Sequence, residues 1–597
     1  QPQTQPPVAG AALGPAIPEE ILSPVKPRAE PQHDASTALA LARFNADRFA
    51  LFVHWGIYAE AAGVIRGQRW YGASEWLMKN SRTPTAEYLG LAKRFDPVDF
   101  DARQWVRTVK AAGIRYIVIT AKHHDGFAMF QSAASPRNIV DGTPFRRDPL
   151  KELADAAQAE GIGLGFYYSQ YQDWTEPNGA GNDWEFDPKT ADFEEYFNRK
   201  VVPQVTELLT NYGPVREIWF DTPGTMPRQY SERLRALVKR LQPACLLNSR
   251  IGNGLGDYSS PTDSEITPAR LATGDWEAIF THNRSWGYSA IDNDYKSTDT
   301  LITLLVLAAS RGGNFMINTG PDGRGRIPAE AEKRLLGVGA WLKANGESIY
   351  GTTASPLPQM PWGVATQRPG KLYLHVLQWP RDGVLRIPGF AGAAVKGARM
   401  LDGGQRLAIG RDGGFSVALP DRRPDSADAV VVLDVAGAIA DAHKGPIGLG
   451  MAYGRQILDV ADADLSGDGL TLNLVRTQLY TGDLRKFYTV TGLDAPDKAI
   501  GWQVQVDGPG DYHVDLEYSA GPGQAGKEGW VSVGAQQLPF KVIRSGELER
   551  RGPAFLPIQP VGILHFPAAG TYRITVSPQA AGADLFKLKS LFLTPAN

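Results

Sequence analysis

The chain has 597 residues, 43% of them hydrophobic and 21% charged, with a formal net charge of −2. That length exceeds one compact core and calls for two to four domains, and near-neutrality excludes the basic footprint of a nucleic-acid or acidic-membrane binder. The longest apolar run, Leu301 to Ala309, is too short for membrane insertion, and a single cysteine, Cys245, excludes an intrachain disulfide and reads as core.

Residues 1–36 are rich in Pro, Ala and Gly and read as a disordered leader. Together with Gln at position 1, this points to an exported protein, periplasmic or extracellular. Residues 37–353 alternate strands with helices. Apolar runs at Phe49–Tyr58, Tyr116–Ala121, Gly163–Ser169, Glu217–Asp221, Cys245–Ile251, Trp276–Thr281 and Asn314–Thr319 predict the strands. Asp101 and Asp148-Pro149 supply helix starts, and Gly113, Gly161 and Gly346 supply stops. This count of βα units predicts a TIM-like (β/α) barrel. A doubly wound open sheet is the second choice, but no Gly-rich phosphate turn follows the first strand. From 354 to 440 short strands and Gly/Pro/Asp turns predict a β-sandwich. Residues 450–597 predict a second, jelly-roll-like one.

The residues with chemical potential crowd the carboxyl ends of the barrel strands, where such folds place their active sites. Tyr116-Ile-Val-Ile-Thr runs into Lys122, His123, His124 and Asp125 before Gly126 turns the chain. Two imidazoles and a carboxylate are too costly to bury unpaired and are expected to meet a polar ligand. Asp221 closes Glu217-Ile-Trp-Phe-Asp. Ile218 and Phe220 should pack one way, while Trp219 and Asp221 face the interior or mouth. On position alone, Asp221 is either catalytic or the cap of the following turn. His54-Trp55 and Glu75-Trp76 are further polar ends. Glu265, in the loop after the Leu247–Arg250 strand, and Glu277, at the start of the next, could pair with Asp221 as acid to its nucleophile. Glu265 is preferred, because Glu277 lies at the stability end of its strand. Adjacent histidines on a strand should diverge and no HxH or HExxH spacing occurs, so no metal and no cofactor is expected.

These elements resemble the retaining α-L-fucosidase family of glycoside hydrolases. The resemblance rests on Phe52-Val-His-Trp-Gly56, Gly72-Ala-Ser-Glu-Trp76, Thr120-Ala-Lys-His-His-Asp-Gly-Phe127, Tyr167-Tyr-Ser169, Ile218-Trp-Phe-Asp221, Ser285-Trp-Gly-Tyr288 and Gly312-Gly-Asn-Phe-Met-Ile-Asn-Thr-Gly-Pro321, in family order over about residues 40–355. It implies a barrel with a following β-sandwich, and an exo-acting enzyme that releases terminal L-fucose from glycans by double displacement. It also implies that Asp221 is the nucleophile and Glu265, ahead of Glu277, the acid/base. His54, Glu75, Trp76, His123, His124, Tyr168, Trp219, Arg250 and Trp286 would line the fucose pocket. A catalytically silent fucose-binding protein on the same barrel is the alternative. The segment from about 450 lies outside the family's common core and reads as an accessory module, carbohydrate binding being one role for it. Trp174 and Trp184, in the loop Gln172–Phe186, either form a platform for the sugar next to fucose or staple the loop to the rim.

Overall fold

The computed structural model describes residues 22–478, 484–545 and 556–597. The chain divides into two compact units, residues 28–445 and residues 1–27 with 446–597.

In the first unit, seven strands form one parallel sheet: β1 (Phe49–Val53), β2 (Tyr116–Lys122), β3 (Gly163–Tyr168), β4 (Glu217–Phe220), β5 (Leu246–Leu247), β6 (Glu277–Phe280) and β7 (Asn314–Thr319). Their order is β5-β4-β3-β2-β1-β7-β6. Between the outer strands run two parallel bridges, Asn248 to Tyr258 and Ser259 to Trp276. Residues 258–259 therefore occupy the place of the eighth stave and curl the sheet into a barrel. β1 is buried at every position, as expected for parallel strands covered on both faces.

The alternation of β-strands separates two layers. Ile117, Ile119, Phe166, Ile218 and Phe220 pack outward against the helices. Phe52, Val118, Tyr167, Trp219, Ile279 and Met316 fill the barrel. Both helix starts behave as their sequences require: Asp101 accepts from the Gln104 N–H, and Asp148 from that of Lys151, ahead of Pro149. Leu41 and Phe44, from the helix Ala35–Asp47, join the interior cluster. Within the same unit, a five-stranded antiparallel sheet is ordered Gly363–Arg368, Lys371–Val376, Ala429–Val435, Val395–Met400, Arg406–Leu407. A three-stranded sheet of Val384–Arg386, Ser416–Ala418 and Ile409–Gly410 accompanies it, and Tyr373, Val430 and Val432 share the barrel's outer core.

The second unit is a sandwich. One sheet is built on Ala499–Val506, Gly570–Pro578, Glu528–Val533 and Gln536–Lys541, and the other on Gln456–Asp459, Lys587–Pro595, Gly510–Ser519 and Ile558–Phe566. Trp502, Val514, Leu516, Ile574, Val576 and Leu591 lie in its core. Of the Pro-rich opening, residues 1–21 lie outside the described residues. The rest departs from a disordered leader: Leu22–Pro24 pairs antiparallel with Asn473–Val475, and Asp34 caps the helix that begins at Ala35. No helix among the described residues is long and apolar enough to cross a membrane.

Candidate active site

The pocket is assembled at the carboxyl ends of the barrel strands. β2 ends at Lys122, and a tight turn follows in which the Gly126 N–H donates to the His123 carbonyl over 3.0 Å. Gly126 has φ 75°, and a Cβ there would stand 2.1 Å from Asp173 Oδ1, so only glycine fits. Asp173, fully buried, accepts from Lys122 Nζ at 3.1 Å, Lys200 Nζ at 2.8 Å and the Thr175 hydroxyl at 2.8 Å. Burial alone would raise its pKa, but the two lysines hold it well below the ordinary carboxylate value. The Trp174 N–H then donates to the His124 carbonyl at 2.8 Å. A buried ion cluster thus braces the two-histidine turn from behind.

His123 and His124 converge, contrary to the expectation from their adjacency: their ring centroids are 4.3 Å apart. The reason is that they lie past the last pleated residue of β2, in the turn, where strand alternation no longer applies. With Asp221 they offer ligand atoms within 4.8 Å of one another. The Ser169 hydroxyl donates to the Gln172 carbonyl at 2.7 Å and lies 2.6 Å from His124 Nδ1. With its only hydrogen committed, Ser169 accepts from Nδ1–H, which leaves His124 Nε2 facing Asp221 Oδ2 at 3.5 Å.

Asp221 directly follows β4. Its Oδ2 accepts from the Tyr167 hydroxyl at 2.7 Å and its Oδ1 from Arg250 Nη1 at 2.9 Å. Burial would raise its pKa, but the neighbouring His124 and the charge of Arg250 outweigh that and keep it ionised well below the usual range. The Arg250 guanidinium lies 4.8 Å from the Trp219 ring centroid, and Trp219 stacks on Tyr167 at 5.7 Å. Through Nη2 the same guanidinium reaches Asp263 Oδ1 at 2.5 Å. Asp263 was not among the expected residues. It sits in the loop that leaves the Tyr258–Ser259 stave, on the same end of the barrel as Asp221.

The opposite wall comes from β1, β7 and two loops. His54 Nδ1 lies 2.8 Å from Asn318 Oδ1, and burial drives its pKa down to about 4, so its ring is neutral. His123 Nδ1 is buried and has no protein partner among the described residues, and the same holds for Glu75 Oε1. Glu75 Oε2 accepts from the Gly287 N–H at 2.8 Å, and burial pushes this carboxyl up to about 7. Asn318 also donates to the Trp286 carbonyl at 2.7 Å, and the Trp286 ring stands 5.2 Å from that of His54. Trp76, half-buried, meets His124 edge to face at 5.2 Å. Unpaired buried polar atoms of this kind are expected where a polar ligand completes them.

Three expected residues are placed differently. Tyr168 points outward, buried in the outer layer, and donates to Gln204 Oε1 at 2.8 Å; its neighbour Tyr167 faces the pocket. Glu277 is fully buried at the first residue of β6, where it accepts from the Tyr116 hydroxyl. Tyr116, Glu217 and Asn314 also begin their strands, so this layer is the barrel floor. Glu265 accepts from the Thr262 hydroxyl, whereas Asp263, two residues earlier, takes the place beside Arg250. Of the loop indoles, Trp174 is fully buried with its N–H on Gln172 Oε1 at 2.9 Å, and Trp184 donates to the Thr83 carbonyl at 3.0 Å. Both arrangements are those of staples.

The sequence profile of the α-L-fucosidase family matches residues 24–347. Human plasma α-L-fucosidase is 31% identical over 368 residues, covering 57% of this chain and 77% of that protein. A crystal structure of an α-L-fucosidase from Vibrio sp. strain EJY3 is similar, with a TM-score of 0.76 at 32% identity, over 93% of this chain and 98% of that one. Another, with a TM-score of 0.62 at 27% identity over 69% and 99% of the two chains, is a Bacteroides thetaiotaomicron GH29 α-L-fucosidase trapped as a covalent intermediate in complex with 2-fluoro-fucosyl fluoride.

Proposed function

The chain belongs to the α-L-fucosidase family of glycoside hydrolases, and from that premise we propose that it releases terminal α-L-fucose with retention, using Asp221 as nucleophile and Asp263 as general acid/base. The observation that carries the reading is that one guanidinium binds both carboxylates. Sharing a single fork suits the ~5–5.5 Å separation of a retaining pair. Asp263 takes the role expected of Glu265.

The fork also suits the proton cycle. With both carboxylates beside one cation, mutual repulsion favours a proton on one of them, and the contacts around Asp221 keep that residue ionised. Asp221 attacks the anomeric carbon while Asp263 gives its proton to the departing oxygen. Once Asp221 is esterified its charge is gone, and Arg250 then stabilises the Asp263 carboxylate, which accepts a proton from the attacking water. The neutral His54 and the unpartnered atoms of His123 and Glu75 suit hydroxyl recognition. The indole of Trp286 gives an apolar surface for a deoxy sugar.

The test is trapping with 2-fluoro-fucosyl fluoride, followed by peptide mass spectrometry. The label is expected on Asp221, and a label on another residue overturns the assignment. Export is proposed as well, in keeping with the plasma enzyme among the relatives. Fractionation of the native host, with activity confined to the cytosol, would overturn it.

A further inference from the structure

The second unit carries a sheet face with an unusual composition. It is built from β8 (Ala499–Val506), β9 (Glu528–Val533), β10 (Gln536–Lys541) and β11 (Gly570–Pro578), which lie in the order β8-β11-β9-β10. Alternate residues Ile500, Trp502, Val531, Ile574 and Val576 enter the core, so the intervening ones face out. Strand register sets Trp530 abreast of Pro539 on one side and Ser577 on the other. The next outward row is Gln537, Ser532, Thr575 and Gly501, followed by Arg573 beside Gln503 and Thr571 beside Gln505. Gln503, Gln537, Thr571 and Arg573 are exposed and Trp530 is half-buried.

Two features show that this face is held in place. Arg573 lies flat across the sheet because its neighbour is glycine: a Cβ on Gly501 would come within 2.6 Å of Arg573 Nη2. Its fork is pinned by the Ser466 hydroxyl at 3.2 Å and Asp464 Oδ2 at 3.5 Å, which also balances its charge. The Thr571 hydroxyl donates to Gln505 Oε1 at 2.6 Å, which turns the Gln505 amide N–H₂ away from Thr571.

We infer that this face binds a neutral glycan chain, with Trp530 as the stacking platform and Arg573 and the surrounding amides and hydroxyls as partners for sugar hydroxyls. The chemistry selects this occupant. A protein partner would call for an apolar, aromatic-rich centre, and a nucleic acid for unpaired positive charge. Instead the face offers amides and hydroxyls around one indole, and each of its cations is paired to a carboxylate, Arg573 to Asp464 and Lys541 to Glu528. The inference deepens the proposed function only in the source of the glycan, the fucosylated chain on which the first unit would act.

The experiment uses the full chain carrying Asp221→Asn, with excess L-fucose to occupy the catalytic pocket. It is applied to an array of neutral fucosylated glycans, their defucosylated forms and anionic polysaccharides. Retention on neutral glycans is expected, and Trp530→Ala and Arg573→Ala should each weaken it at least tenfold, with Trp530→Phe retaining part. In the otherwise wild-type chain, Trp530→Ala should leave aryl-fucoside turnover and melting temperature unchanged. No retention on any neutral glycan, retention unaltered by either substitution, or retention on anionic polysaccharides alone that salt abolishes would overturn the inference. Absence of fucosidase activity in the wild-type chain, with glycan retention intact, would overturn the proposed function and leave this inference standing.

Discussion

Asp221 and Asp263 accept hydrogen bonds from different nitrogens of the same guanidinium, Arg250, at 2.9 and 2.5 Å. The two carboxylates would play unlike parts, and substitution separates them. Asp221→Ala should abolish turnover while leaving the fold intact, because the covalent step loses its nucleophile. Added azide should restore a slow reaction and yield the inverted fucosyl azide. Wild-type kcat in the variant would remove Asp221 from the mechanism.

Asp263→Ala should slow substrates with poor leaving groups far more than activated aryl fucosides, which need little proton donation on departure. A loss of ~10²–10⁴-fold is the ordinary scale for such a group. Azide should here give the retained fucosyl azide. Glu265→Ala should stay near wild type on both substrates, and the reverse ranking would return the role to Glu265.

Tyr167 and Tyr168 form a matched control. Tyr167→Phe removes the hydroxyl that donates to Asp221 Oδ2 at 2.7 Å. A hydrogen bond to a charged group contributes about 1.5–3 kcal/mol, so kcat/KM should fall by an order of magnitude or more. Tyr168→Phe removes only a bond to Gln204 in the outer layer and should change the melting temperature, not kinetics. Equal kinetic losses would contradict the placement of the two rings.

The sequence marks some of these residues plainly and hides others. The strands announced themselves as apolar runs ending in polar groups, and Glu217-Ile-Trp-Phe-Asp221 carried its phase in its own alternation. In Gly163-Leu-Gly-Phe-Tyr-Tyr168 the inward positions before Tyr167 are glycines, so only the outward Leu164, Phe166 and Tyr168 could have set the phase. Asp263 was hidden for another reason. Its loop leaves a stave held by two isolated bridges, with no apolar run to mark where that stave ends. Glu277 stands at a strand start, and it lies on the floor for that reason. Convergence of the histidines depends on the turn at Gly126 and the buried Asp173 behind it, a long-range contact that spacing does not encode.

The buried Asp173 cluster should be costly to break. Asp173→Asn leaves Lys122 buried without its anion and Lys200 with only the more distant Glu176 at 3.6 Å, a change expected to cost about 3–5 kcal/mol. Because this cluster backs the His123–Gly126 turn, KM should rise along with the loss of stability. Unfolding in denaturant and aryl-fucoside kinetics together check this. An unchanged unfolding midpoint would mean that the cluster is not what holds the turn.

The last prediction concerns the barrel floor, where the carboxyls of Glu217 and Glu277 lie in one buried layer. Burial pushes Glu217 up to about 7, and burial with the charge of Glu217 raises Glu277 well above its ordinary 4.5. Glu217 Oε2 accepts from the Tyr258 hydroxyl at 2.8 Å and Glu277 from Tyr116, whose hydroxyl also lies 3.0 Å from Asn314; no cation contacts either carboxyl group among these hydrogen bonds. Both pKa values are raised on folding, which fixes the sign. Below pH 4.5 the carboxyls are neutral in folded and unfolded chains alike, and their contribution to stability is complete. As pH rises from 4.5 to about 7 the unfolded chain ionises first, so stability falls across that window. The melting temperature of the wild type should therefore decline over this range. Glu277→Gln keeps the shape and the acceptor for Tyr116 but does not titrate, so the decline should flatten. An equally steep decline in Glu277→Gln and Glu217→Gln would place the pH dependence elsewhere in the protein.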